Sequence, residues 1–128
     1  MRLLLDTHAF LWWLQDAPKL SATARNAVAD GANQVLVSAV SAWEIATKVR
    51  LGKLPGAEDL ASDIAGCLGR EGFVELAVTV VHAQRAGALP FPHRDPFDRM
   101  LVAQALAEDV ALVTIERVFS GLGVRTLW

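Results

Sequence analysis

Four carboxylates stand where predicted strands end or predicted helices begin, and together they suit metal chemistry. Asp6 follows three leucines, Glu44 lies two turns into a predicted helix, Asp98 opens another, and Glu116 comes two residues after an apolar strand. Carboxylates gathered at one place repel unless they are protonated or bridged by a cation. Oxygen ligands suit Mg²⁺ or Mn²⁺, which can hold a phosphate and activate a water. The set predicts metal-assisted hydrolysis of a phosphodiester.

Each acid also has a structural explanation when taken singly. Asp6 fits the N-cap of a first helix, and Asp98 fits the positive end of a helix dipole. Glu44 fits either an ion pair with Lys48 or a capping box with Ser41. Glu116 fits a solvated acid in a first helical turn. The functional interpretation depends on all four lying at one edge of a sheet.

The element that positions Asp98 is the clearest in the chain. Asp95 is a good N-cap residue, and Pro96 suits the first helical position, where its missing N–H costs nothing. Asp98 then falls at the third helical position. The residues after it are apolar on almost every side, which predicts a helix packed within the domain.

Strands and helices alternate along the rest of the chain. Strands are predicted at 2–5, 34–38, 73–76, 110–114 and 124–127, and helices at 9–14, 21–32, 39–51, 57–70, 80–88 and 116–120, besides the helix after Asp95. Within the third helix the predicted core stripe is Ala42, Ile45, Ala46 and Val49, with Ser41, Glu44 and Lys48 on a different, polar face. The pattern predicts one α/β domain over 1–128, a mainly parallel sheet of about five strands with helices on both faces. Ligands bind such sheets at the carboxyl ends of the strands.

The composition and charge of the chain limit which location and which kinds of partner are expected. Hydrophobic residues make up 53% of 128 residues and mean hydropathy is +0.34, so surplus apolar surface is expected in an oligomer or against a partner. We expect no membrane span, no signal peptide and a cytoplasmic location. The single cysteine, Cys67, is predicted to be a core residue. A net charge of −2 gives no sign of nucleic-acid binding by bulk charge.

The remaining candidates are predicted to be structural. No Walker loop, dinucleotide fingerprint, zinc spacing or nucleophile elbow is present. Trp12, Trp13, Trp43 and Trp128 are predicted as core or interface aromatics. His8 is close to Asp6, His93 belongs to the loop before Asp95, and His82 has no evident partner. Arg99 is a basic residue that could contact a backbone phosphate.

These motifs resemble the PIN-domain ribonucleases of the VapC type, over essentially the whole chain. The likeness is carried by Leu-Leu-Leu-Asp-Thr-His (3–8), Ser-Ala-Trp-Glu-Ile-Ala (41–46), His-Arg-Asp-Pro-Phe-Asp-Arg-Met-Leu-Val-Ala-Gln-Ala (93–105), and Leu-Val-Thr (112–114) followed by Glu116. The resemblance implies a three-layer α/β/α PIN-like fold.

The resemblance also implies roles for individual residues. Asp6, Glu44 and Asp98 would be metal-binding catalytic acids. Glu116 would be a fourth catalytic acid that, being one methylene longer than the aspartate often found there, acts through water. Thr7 and Thr114 would line the substrate site with Arg99. Asp95 would be structural.

The implied activity is magnesium-dependent endonucleolytic cleavage of RNA, with Mn²⁺ as an alternative ion, leaving a 5′-phosphate and a 3′-hydroxyl. The implied partners are a second copy of the chain in a homodimer and a VapB-type antitoxin, which would make the chain the toxin of a toxin–antitoxin pair. One alternative is a non-catalytic PIN scaffold that binds protein or RNA. A phospho-receiver domain fits less well, because it needs an aspartate ending strand three and a lysine ending strand five, where this chain has Leu76-Ala77 and only Arg125.

Overall fold

The computed structural model describes all 128 residues as an alternation of strands and helices. The strands are β1 (Arg2–Leu5), β2 (Gln34–Ser38), β3 (Val74–Leu76), β4 (Ala111–Val113) and β5 (Thr126–Leu127). The helices are α1 (Thr7–Leu14), α2 (Ala22–Ala29), α3 (Ala39–Arg50), α4 (Glu58–Ser62), α5 (Ile64–Glu71), α6 (Val80–Ala88) and α7 (Pro96–Glu108), with a 3-10 helix at Arg117–Leu122. None of the helices is long and apolar enough to cross a membrane.

All five strands are parallel and are ordered β3-β2-β1-β4-β5, which confirms the predicted α/β sheet. β1 lies at the centre, with Leu4 paired to Leu36 on one side and to Leu112 on the other. Leu3, Leu4 and Leu5 are fully buried. A strand covered on both faces needs apolar residues without alternation, which explains the run of leucines.

Successive residues of β1 enter two different cores. Leu3 and Leu5 pack with residues of α1, α2, α3 and α5, including Phe10 and Ile45. Leu4 packs on the opposite face with residues of α7 and the 3-10 helix, including Leu101. The result is the three-layer arrangement of helices, sheet and helices.

Three predicted helices differ from those observed. The single helix predicted at 57–70 is two helices, because the Asp63 carboxylate accepts from Gly66 N–H at 2.9 Å and begins α5 anew. α2 ends at Ala29, three residues earlier than predicted. α1 begins at Thr7 because Asp6 caps it.

The buried face of α3 was predicted only in part: Ile45 is buried and Val49 packs against the same core, as predicted. The buried residues of the helix are Val40, Ser41, Glu44 and Ile45, whereas Ala46 is exposed. Ser41 and Glu44 do share a face, as predicted, but that face points into the molecule because α3 packs against both α1 and α7. Contacts with neighbouring helices have overridden the apolar periodicity. A carboxylate is therefore buried beside the carboxyl edge of the sheet.

Candidate active site

The carboxyl ends of the three central strands lie at the same level. Leu5 of β1 is paired with Val37 of β2 and with Val113 of β4. The Asp6 N–H continues the ladder by donating to Val113 O at 3.0 Å. Asp6 and Thr114, the residues that leave β1 and β4, are therefore neighbours at this edge.

Asp6 is a buried carboxylate held by the start of α1. Its Oδ1 accepts from Ala9 N–H at 2.7 Å, so its predicted cap role is confirmed. Burial raises the pKa of Asp6, against the effect of hydrogen bonds from the Thr114 side chain and the Ala9 N–H. The negative charge of Asp98 raises that pKa further. The cap fixes the carboxylate in place without neutralising it.

Glu44 has a side chain only 4% exposed. Its Oε2 accepts from the Lys48 ammonium, which confirms one of the two structural roles considered for it. The capping box with Ser41 is wrong, because the Ser41 hydroxyl hydrogen-bonds the Thr7 hydroxyl at 2.9 Å. Glu44 Oε1 is buried without any hydrogen-bond partner. An unsatisfied buried carboxylate oxygen is costly, and this one is suited to a cation.

Asp98 stands on the capped start of α7. Asp95 accepts from the N–H groups of Phe97 at 2.9 Å and Asp98 at 3.3 Å, with Pro96 in the first turn, as predicted. The Asp98 Oδ2 accepts from His93 Nε2 at 2.9 Å. Burial raises the pKa of Asp98, and the charges of Asp95 and Glu44 add to this against the His93 hydrogen bond. Asp98 is therefore electrostatically coupled to both Asp6 and Glu44.

The four predicted acids are not equally placed. Asp6, Glu44 and Asp98 lie in one neighbourhood, whereas Glu116 is exposed and is held by its backbone, whose N–H donates to Thr114 Oγ1 at 3.0 Å. No three carboxylate or imidazole groups are close enough here to hold an ion together.

The three predicted substrate contacts are placed differently from one another. Thr7 and Thr114 are both buried, and the Thr114 side chain lowers the pKa of Asp6. All five N–H groups of the Arg99 side chain donate to backbone carbonyls, those of Ala86, Gly87, Leu89, Phe91 and His93. A phosphate would have to displace one of them. Arg99 instead ties down the loop between α6 and α7, and no periodicity in the sequence signals this.

His93 was assigned only to a loop, yet the structure brings it to an acid. Its ring stacks on Phe91 with centroids 5.5 Å apart and meets Phe119 edge-on at 5.6 Å. In the sequence, only its position five residues before Asp98 could have indicated this contact. Trp43 also departs from a core role, since it is 62% exposed and meets Phe97 edge-on at 5.0 Å.

An apolar pocket lies apart from the acids, between α3 and α5. It is lined by Val37, Ser38, Ala39, Ala42, Ile64, Ala65, Leu68 and Glu75. None of the predicted site residues borders it, so the candidate site is the open edge above β1, β2 and β4.

Known sequences similar to this chain are ribonucleases by name. It is 32% identical to ribonuclease VapC22 of Mycobacterium tuberculosis over 118 residues, covering 89% of this chain and 86% of that protein. It is 43% identical to ribonuclease VapC16 of the same organism over 79 residues, where the match covers 57% of this chain and just over half, 56%, of that protein.

Solved structures similar to this one share its fold at low identity. VapBC2 from Rickettsia felis, bound to a promoter DNA fragment, superposes with a TM-score of 0.69 at 17% identity, covering 98% of this chain and 97% of that one. VapBC-1 from nontypeable Haemophilus influenzae gives 0.68 at 17% identity, with 98% and 96% covered. The PIN domain family model matches residues 3–123. The resemblance drawn from the motifs is confirmed, and the chain belongs to the PIN domain family.

Proposed function

We propose that this protein is a metal-dependent endoribonuclease that acts in the cytoplasm as the toxin of a toxin–antitoxin pair. The observation that carries the proposal is the buried Glu44, whose Oε1 has no partner, beside two further carboxylates at the carboxyl edge of a parallel sheet. Burial and mutual repulsion disfavour the charged form of such carboxylates, and a bound cation would relieve both effects. The names of the related M. tuberculosis ribonucleases support RNA as the substrate.

The residues present fit a hard divalent ion. Asp6, Asp98 and Glu44 supply only oxygen ligands, which Mg²⁺ and Mn²⁺ prefer over softer donors. When bound there, such an ion supplies Lewis-acid stabilisation of a phosphate and a more acidic water. The orphaned Glu44 Oε1 is the atom of this chain that gains most from it, since no protein donor serves it.

Other residues of the chain hold these carboxylates in position. The Ala9 N–H holds the Asp6 carboxylate, and the cap built by Asp95 fixes Asp98 at the start of α7. Burial excludes water from Asp6 and Glu44, which strengthens their interaction with any charge brought between them. In this proposal Glu116, exposed two residues after Thr114, acts on the site through water.

We propose that a VapB-type antitoxin restrains the enzyme and that the protein forms homodimers. Structures similar to this one include toxin–antitoxin complexes. Val80 and Val81 at the start of α6 are exposed by 82% and 55%, so this chain carries apolar surface suited to a protein partner. Size-exclusion chromatography with light scattering, alone and with the protein of the neighbouring reading frame, tests both statements.

The decisive experiment compares two substitutions three residues apart. Purified protein, free of antitoxin, is expected to cut single-stranded RNA with Mg²⁺ or Mn²⁺ and not with EDTA. Asp98→Asn should reduce the rate by about 100-fold or more, because a direct metal ligand is lost. Asp95→Asn is the matched control, since asparagine caps helices as well as aspartate does.

Circular dichroism should show both variants folded. If Asp98→Asn cuts RNA as fast as the native protein, the metal-site proposal is wrong. If the native protein neither cuts RNA nor binds divalent ions in a calorimetric titration at millimolar concentrations, a non-catalytic binding module is the better description.

A further inference from the structure

Lys48 reaches from the surface of α3 to the buried Glu44. It lies four residues after Glu44 on the same helix, and its ammonium donates to Glu44 Oε2. Its side chain is 31% exposed, against 4% for that of Glu44. One partner is therefore fixed in the interior, while the other extends from the solvent boundary.

Unlike Arg99, Lys48 has the capacity to change partners. The Arg99 guanidinium has all its donors bonded to carbonyls. The Lys48 ammonium has three donors and one bonded acceptor, on a flexible four-carbon chain. Glu44, packed between helices, has no comparable freedom.

We propose, resting on the function above, that Lys48 is the counter-ion that a divalent metal displaces from Glu44, and that its released ammonium then binds a phosphate of the RNA. Two cations on one carboxylate repel, so metal binding weakens the hold of Glu44 on Lys48. When a phosphate binds the Lys48 ammonium, that ammonium no longer competes with the metal for Glu44. Metal and RNA therefore bind cooperatively through this side chain.

The first test measures metal binding without RNA, by calorimetric titration with Mn²⁺. Lys48→Met keeps most of the length of the side chain and removes its charge, and it should bind Mn²⁺ about 5-fold more tightly or better than the native protein. Arg50→Met is the matched control: the same helix, an exposed side chain two residues away, and the same loss of charge. If Lys48→Met binds Mn²⁺ no more tightly than Arg50→Met, the counter-ion role is overturned.

The second test follows RNA cleavage at saturating Mg²⁺. Lys48→Met should raise KM several-fold with a smaller change in kcat, because a phosphate contact is lost, while Lys48→Arg should restore part of the loss. An unchanged KM would overturn the phosphate contact. Failure of the native protein to cut RNA would instead count against the proposed function, while the Mn²⁺ titration would still decide the counter-ion role.

Lys48→Met leaves a buried carboxylate unpaired, so its folding needs its own check. Thermal unfolding in EDTA should show a lower midpoint than the native protein, and Mn²⁺ should raise the midpoint more in the variant than in the native chain. A smaller Mn²⁺ effect in the variant would contradict the exchange of ammonium for metal.

Discussion

Two regions of the molecule bury polar side chains, and they do so in opposite ways. One is the acid edge formed by Asp6, Glu44 and Asp98. The other is the His82 cluster between α6 and α7, formed by Thr79, His82, Gln104 and Glu108. Each region contains a buried side chain, Glu44 or His82, together with partly exposed members, so burial alone does not separate them.

The polar groups of the His82 cluster find their hydrogen-bond partners within α6, α7 and the cap of α6. His82 Nδ1 accepts from Thr79 N–H at 3.1 Å, which leaves the hydrogen of the neutral ring on Nε2, where it donates to Glu108 at 2.9 Å. The Thr79 hydroxyl accepts from His82 N–H in return. The buried oxygen left over, Gln104 Oε1, belongs to a neutral amide. The cluster needs no ligand.

The acid edge combines like charges, and its leftover oxygen belongs to a carboxylate. Lys48 balances the charge of Glu44, but a buried carboxylate oxygen without a donor still costs more than a neutral amide oxygen without one. The His82 cluster therefore satisfies nearly all of its polar groups within the chain, whereas the acid edge leaves a carboxylate oxygen buried without a donor. Substitutions in each should therefore differ in size, sign and metal dependence.

The largest effect on stability is expected at His82. His82→Ala removes the capping box and the Glu108 partner and leaves a cavity, so the free energy of unfolding should fall by about 2–4 kcal/mol. Urea unfolding should give the same loss with Mg²⁺ and with EDTA. His8→Ala, at an exposed ring, should change stability by about 0.5 kcal/mol or less. If Mg²⁺ restored the stability lost in His82→Ala, the His82 cluster would depend on metal and would not differ from the acid edge.

A smaller effect is expected at Arg99, which links the two regions because its loop leads from α6 to Asp98. Arg99→Lys replaces five donors by three in another geometry and should cost about 1–2 kcal/mol. Limited proteolysis should cut the 89–95 loop faster. Arg94→Lys, at an exposed residue of that loop, is the control. Equal cutting of both variants would show that the carbonyl contacts of Arg99 do not order the loop.

The smallest effect, of opposite sign, is expected at Asp98 in EDTA. Its pKa is raised in the folded protein, so its contribution to stability is present below the ordinary carboxyl pKa and is lost as pH rises through the raised value. Asp98→Asn should therefore raise the free energy of unfolding at pH 8, by up to about 1 kcal/mol, and the gain should shrink toward pH 4. Urea unfolding across this range is the measurement. A loss at pH 8 would mean that Asp98 is satisfied without a metal.

Much of the fold follows from short stretches of sequence. The caps at Ser38, Thr79 and Asp95 all begin helices as predicted, because capping depends on a few neighbouring residues. The apolar run of β1 identified a central strand for an equally local reason. The break at Asp63 was missed, because an aspartate inside a helical pattern can either face solvent or begin a new helix.

The candidate site depended more on contacts between distant parts of the chain. The sequence predicted Asp6 at the end of a strand and Asp98 at the start of a helix, and the topology brings them together. Burial of Glu44 and the turn of His93 onto Asp98 depend on how α3 and the 89–95 loop pack. The five carbonyls around Arg99 belong to a loop conformation that no pattern of residue types encodes.

The parallel arrangement of β1 and β5 also decides where foreign sequence can be attached. Met1 O accepts from Gln34 N–H at the start of β2, so the amino terminus leaves from the edge opposite the acids. Trp128 follows β5 at the acid-bearing edge, where its ring lies 5.7 Å from that of Trp12 in α1. An affinity tag or fluorescent fusion before Met1 leaves the acids open, whereas one after Trp128 projects beside them.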